Sequence, residues 1–192
     1  QIGLTGLDRV QQSILERIIH SSGDLSIQSI LRFSPRACDD AIHALKKGAK
    51  IVTDTHMAKV AISPMARRTL NSNVECILDI APESIENERN TTRSAIGIRR
   101  MWLDLEKNYD FRSAPVVVIG SSPTALMALL DLIDGGIEEP SLIIGMPVGF
   151  IGVSESKERL LNSNCSYIVL EGSKGGAGLA AATVNALLNF EC

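Results

Sequence analysis

The sequence predicts an α/β fold: a single three-layer α/β/α domain on a mostly parallel five-stranded sheet. Three observations carry that expectation. The runs VVVI at Val116–Ile119, LII at 142–144 and YIVL at Tyr167–Leu170 lack polar alternation, as suits strands buried on both faces. Helical patterns separate these runs, and parallel neighbours require such crossovers. Each of these strands also exits into a small-residue turn, GSSPTAL from Gly120, GMPVGFIG from Gly145 and EGSKGGAG from Glu171. Turns of this kind bring backbone N–H groups up to an anion, so the three together point to a ligand with many negative charges.

In chain order, residues 7–19 repeat their apolar positions at helical spacing, and Ser34-Pro35 opens a second helix through Leu45 that Gly48 ends. A first strand follows at 50–53, then a helical stretch at 63–70 and a strand at 75–78. The segment 81–92, APESIENERNTT, is the most polar of the chain and reads as a loop or flap. After Val116–Ile119, Ser122-Pro123 starts a helix that Gly135-Gly136 stops. Ser154 caps ESKERLL, in which Glu155 and Lys157 read as a solvated charged face. The closing AGLAAATVNALLN is a helix of small residues able to pack close to a sheet. With five parallel strands, the loops from Asp54, Asp79, Gly120, Gly145 and Glu171 all open on one edge, where ligands of such sheets bind.

Composition narrows the function. The 192 residues, 45% hydrophobic and 21% charged, suffice for one core, so 1–192 is read as one domain. A net charge of −3 with scattered basic residues leaves no footprint for nucleic acid. Cys38, Cys76, Cys165 and Cys192 form no C-x-x-C pair, so neither a metal site nor a disulfide framework is expected, and they read as thiols of a reducing cytosol. The sequence has no long apolar span and its opening residues lack a signal peptide's pattern, which points to a cytoplasmic, non-membrane protein. Asn90-Thr91-Thr92 is then a chance sequon. The chain opens on Gln1 rather than methionine, which leaves room for residues upstream. G-x-x-x-x-G-K-[ST], G-x-G-x-x-G and G-x-S-x-G are all absent, against a P-loop, a dinucleotide fold and a common hydrolase. One tryptophan, Trp102, and few other aromatics argue against a pocket of stacked rings.

Seven segments in order, RIIHSSGD at 17–24, KGAKIVTDTHM at 47–57, TTRSAIGI at 91–98, PTAL, GMPVGF, ESKERL and KGG followed by VNALL, resemble the motifs of the precorrin-8X methylmutase family. The resemblance spans nearly the whole chain. It implies a flavodoxin-like sheet and an isomerase of cobalamin biosynthesis that moves a methyl group from C-11 to C-12 of precorrin-8X or cobalt-precorrin-8, giving hydrogenobyrinic or cobyrinic acid. It also implies a homodimer with sites near the subunit interface, a tetrapyrrole as the only small-molecule partner, and no cofactor. The sequence departs from the family's habits in Ser121-Ser122 before PTAL, in SKGGAG, and in His56 after Thr53-Asp54.

His20 is the catalytic expectation. It stands at the end of the first helix, where the dipole favours a cation, and imidazole donates and recovers protons near neutrality. The resemblance places a functional histidine in the matching IIH motif. The competing reading is a histidine that only caps carbonyls. A methyl shift within a conjugated ring needs no nucleophile, so proton donation and tight product binding are what the protein supplies. His43, inside a helical pattern, reads as structural.

Arg93, beside Thr92 and Ser94, offers charge-assisted donors to a carboxylate, though a threonine cap with a surface arginine is the plainer reading. Asp54 orients a catalytic group or caps a helix, and Thr53 lines the pocket. Ser121, Ser122 and Thr124 surround a helix start. Gly145 and Gly149, with Gly152, let backbone approach a flat ring, and Lys174, Gly175 and Gly176 form the last anion cradle. Two other classes stay open: a non-catalytic corrinoid or tetrapyrrole-binding relative, and a flavin or nucleotide protein suggested by the sheet alone.

Overall fold

The computed structural model describes residues 5–84, 91–108 and 113–190. In chain order the elements are α1 (Arg9–Ser22), a 3₁₀ turn (Leu25–Ser29), β1 (Leu31–Phe33), α2 (Ala37–Lys46), β2 (Ile51–Thr53), α3 (His56–Arg68) and β3 (Val74–Cys76). They continue with α4 (Arg93–Asn108), β4 (Val116–Ile119), α5 (Pro123–Asp134), β5 (Leu142–Gly145), α6 (Val153–Leu161), β6 (Tyr167–Leu170) and α7 (Ala177–Asn189). Of the flap expected at 81–92, residues 85–90 lie outside the described residues, as do Asn90 of the sequon and Cys192.

The strands form one sheet in the order β1-β6-β5-β4-β2-β3. All pairings are parallel except β1 with β6, where Leu31 faces Leu170 and Phe33 faces Ile168. With β1 set aside, the five parallel strands run second, first, third, fourth, fifth across the sheet, the flavodoxin-like order. The sequence expectation of five strands is corrected to six among the described residues. Residues 31–33, LRF, are too short for periodicity to register, and they become a strand because β6 offers a free edge. The Ser34 hydroxyl prolongs the pairing by accepting from the Tyr167 N–H at 2.8 Å.

Alternation of buried residues builds a core on each face. Val116, Val118, Ile144 and Ile168 pack with α1, α2, α3 and α7, whereas Val117, Ile119, Ile143 and Val169 pack with α4, α5 and α6. This is why these runs are apolar at every position. The small residues of α7 let it lie close to the sheet: an added Cβ on Gly120, at the end of β4, would stand 2.6 Å from the Ala177 Cα.

Several boundaries move for local reasons. α3 begins at His56 rather than 63, with the Thr55 hydroxyl accepting from the Ala58 N–H at 3.3 Å. Ser63-Pro64 resembles a helix start but lies inside α3, where the Ser63 hydroxyl donates to the Lys59 carbonyl at 2.6 Å. α2 begins at Ala37, after Arg36 in the left-handed region, and α6 begins at Val153 with Gly152, not Ser154, at its cap. The strand expected at 75–78 is Val74–Cys76 followed by a 3₁₀ turn.

Candidate functional site at the strand C-terminal edge

The parallel strands deliver Asp54, Gly120, the 146–152 loop and the 171–176 loop to one edge, as the sequence implies. At the crevice between β2 and β4, where the strand order reverses, the structure places a carboxyl group of its own. Asp54 is fully buried, and its Oδ2 accepts from the N–H groups of Gly120, Ser121 and Ser122 at 3.1, 2.6 and 2.8 Å. Burial pushes its carboxyl above the usual carboxylate range, against the pull of those three donors. The backbone cradle of GSSPTAL is therefore filled from within. Ser121 and Thr124 keep exposed side chains, but their loop is not an empty anion site. Thr53 is likewise turned inward, with its hydroxyl donating at 3.1 Å toward the carbonyls of Thr55 and Glu75.

Hydroxyl groups link the starts of α4 and α5. Thr92 Oγ1 accepts from the Ala95 N–H at 3.1 Å and lies 2.7 Å from Thr124 Oγ1, which lies 3.1 Å from the Ser122 hydroxyl. Ser122 caps α5 by accepting from Ala125 at 3.2 Å. Beside this chain a cleft of about 260 Å³ runs between the two helices, lined by Thr91, Thr92, Thr124, Arg99, Met127 and Asp131 among others. Arg93 is exposed, with Nε donating to the Pro82 carbonyl at 2.7 Å; Ser94 is half-buried beside it.

The other half of the edge joins three chain segments. The ammonium of Lys174 meets Asp24 Oδ2 at 2.6 Å and the Ser26 hydroxyl. Asp24, drawn down to about 2 chiefly by its bond to Lys174, lies one turn past His20. The end of α1 is thus moored to the β6–α7 loop. Gly23, left-handed at φ 68°, closes that helix by donating to the Ile19 carbonyl at 2.8 Å. The capping reading of His20 is not required, and its side chain is exposed at the edge.

The glycines divide by role. An added Cβ on Gly145 would stand 2.6 Å from Leu160 Cδ2, so this glycine admits α6 to the sheet and is buried. Gly149 holds φ 130° and donates to the Ser173 carbonyl at 3.1 Å, joining the two glycine loops. Gly176 donates to the Met146 carbonyl at 2.8 Å, so its N–H is occupied. A Cβ on Gly175 would stand 2.1 Å from the same carbonyl oxygen.

Lys157 corrects the sequence reading. Far from belonging to a solvated face, it is 1% exposed, and its ammonium donates to the carbonyls of Gly172 and Lys174 at 2.7 Å each. Burial draws it down to about 8. Helical spacing was the available signal, because Val153, Lys157 and Leu160 share one stripe of α6 that packs inward. His56, one of the departures from the family's habits, also reaches this edge, where its Nε2 lies 2.7 Å from Asp79 Oδ1 and Lys59 meets the other carboxylate oxygen at 2.7 Å. Trp102 is buried in the α4 face of the core. Cys38, Cys76 and Cys165 are buried free thiols, Cys38 pushed up to about 12 chiefly by burial.

Fold and site together define a flavodoxin-like α/β protein whose switch-point crevice holds its own buried carboxyl group and whose strand C-terminal edge is built by α1, α4, α5 and the two glycine loops. Comparison with known proteins sharpens this class. The CbiC (precorrin-8X methylmutase) family model matches residues 1–190. The precorrin-8X methylmutase of Pseudomonas aeruginosa is 36% identical over 190 residues, covering 97% of this chain and 88% of that protein. The cobalt-precorrin-8 methylmutase of Synechocystis sp. is 34% identical over 201 residues, with the same coverage of 97% and 88%. The crystal structure of precorrin-8X methylmutase from Thermus thermophilus superposes with a TM-score of 0.86 at 32% identity, over 99% of this chain and 89% of that one. The chain belongs to the precorrin-8X methylmutase family.

Proposed function

We propose that this chain is the isomerase its family implies: it moves a methyl group from C-11 to C-12 of precorrin-8X or cobalt-precorrin-8, with His20 as proton donor or hydrogen-bond partner to the ring. The observation that supports this reading is the Asp24–Lys174 ion pair, which ties the segment just past exposed His20 to the β6–α7 loop. The reaction moves atoms within one molecule, so the protein's part is to bind the ring, place a proton and favour the product. Arg93 and the β6–α7 loop at Lys174, Gly175 and Gly176 suit the acetate and propionate arms. Thr92, Ser94, Ser121, Ser122 and Thr124 supply neutral donors around them. Thr53, Asp54 and Gly145 lie behind that surface and shape it. Relatives named for the metal-free and the cobalt-containing substrate are similar to this chain at 36% and 34% identity, so both forms belong in the assay.

The active unit in this reading is a cytoplasmic homodimer. The α4–α5 cleft, at about 260 Å³, falls short of the ~300–1,000 Å³ of ordinary small-ligand pockets, and a tetrapyrrole needs more wall than that. Phe150 and Ile151, 93% and 92% exposed at the tip of the β5–α6 loop, supply apolar surface for a second copy. Among the described residues no helix is long and apolar enough to cross a membrane.

The test is an absorbance titration with hydrogenobyrinic and cobyrinic acids, followed by turnover assays of the wild type and His20→Ala. Saturable perturbation of the visible bands with turnover lost in the variant, and binding kept, is the expected result. Full turnover in His20→Ala would remove His20 from the mechanism. Binding of either product without conversion of either substrate would make the chain a carrier instead.

A further inference from the structure

Two loops form the Lys174 side of the edge, and a buried ammonium lies beneath them. The carbonyls of Gly172 and Lys174 both accept from Lys157, and the carbonyl between them, on Ser173, accepts from the Gly149 N–H. Three successive carbonyls are thus turned toward the β5–α6 segment. In a trans peptide the C=O and the following N–H point in opposite directions, and no peptide bond here is cis. The N–H groups of Ser173, Lys174 and Gly175 therefore point the other way, outward beside the start of α7. Ordinary side-chain capping has no part in this: the α7 cap, Gly176, has no side chain and spends its N–H on Met146.

We propose that Lys157 is a positioning residue for substrate binding: its ammonium holds the β6–α7 carbonyls inward so that the loop's three N–H groups face out to receive a carboxylate of the substrate. The inference rests on the methylmutase reading for the identity of the anion, and on the geometry alone for the loop. It explains why a lysine occupies the apolar stripe of α6, where methionine would pack without the need to desolvate a charge. It also relocates the anion cradle from Lys174–Gly176 to Ser173–Gly175, one residue earlier.

The test compares wild type, Lys157→Met and Lys157→Gln by steady-state kinetics and by amide hydrogen exchange of the free protein. Lys157→Met is expected to raise KM about tenfold or more while kcat changes little, since a contact made equally to substrate and transition state moves KM alone. Exchange at Gly149 and Gly176 is expected to quicken about tenfold as the paired loops loosen. Lys157→Gln, shorter but still a donor, should fall between the two in both readings, and it carries the test if the methionine variant does not fold. Folded variants with unchanged exchange, or with unchanged KM and a fall in kcat alone, would overturn the proposal. If the wild type neither binds nor converts either tetrapyrrole, the methylmutase reading fails instead; exchange then decides the role of Lys157 in the loop.

Discussion

Asp54 is the residue whose removal should be felt most widely outside the apolar core. One oxygen satisfies three N–H groups at the start of the α5 loop, and nothing nearby replaces it in an alanine variant. Asp54→Ala is expected to cost about 3 kcal/mol in urea unfolding, the scale of backbone N–H groups left without their acceptor, and Asp54→Asn clearly less. A loss below about 1 kcal/mol in the alanine variant would mean that the loop holds itself. Arg93 is the opposite case, exposed and held among the described residues through Nε on Pro82. Arg93→Ala should leave the melting temperature within a degree or so and weaken product binding about tenfold or more, since an arginine–carboxylate contact contributes on the order of 1.5–3 kcal/mol. Unchanged affinity would place the carboxylate elsewhere. Neither expectation could be ranked from the sequence, where Asp54 reads as a helix cap or an orienting group and Arg93 as a carboxylate ligand or a surface arginine beside a threonine cap.

At the scale of elements, α6 holds its lysine at a cost that pH exposes. Burial lowers the Lys157 ammonium from 10.5 to about 8. Between those values the folded protein has lost a proton that the unfolded chain still holds, so this residue's contribution to stability rises with pH across the window. Below about 8 the cost of the buried charge is fully present. Subtracting the pH profile of Lys157→Met from that of the wild type should leave a stability difference that shifts in favour of the wild type from about pH 8 to 10.5. A flat difference would show that the ammonium is not desolvated. The same element teaches how far periodicity reaches. The stripe Val153, Lys157, Leu160 was legible as one face, but a charge in it reads as solvent-facing until the carbonyls of Gly172 and Lys174 are seen to meet it. β1 was illegible for a different reason, because three residues carry no period and an edge strand forms only when a neighbour presents its open side.

For the molecule as a whole, the exposed Phe150 and Ile151 and the small cleft between α4 and α5 set the oligomer as the property to measure. Light scattering is expected to give twice the mass of one chain, and Phe150→Asp with Ile151→Asp is expected to give a monomer with the secondary structure of the wild type. A wild-type monomer that turns over substrate would end the account of a pocket shared between subunits.

The sequence by itself determined the layered α/β class, the edge where the loops gather, the apolar runs of β4, β5 and β6 and, through seven ordered motifs, the family. Each of these rests on local signals, namely unbroken β-branched runs, glycine at strand exits and short strings read in order. Only the tertiary structure decided that the GSSPTAL cradle is filled by Asp54, that Lys157 is buried under the β6–α7 loop, and that residues 31–33 add an antiparallel edge. Those are pairings between residues 15 to 139 positions apart. The chain's order cannot encode them, since whether a polar group meets water or a partner is set by which distant segment the fold brings against it.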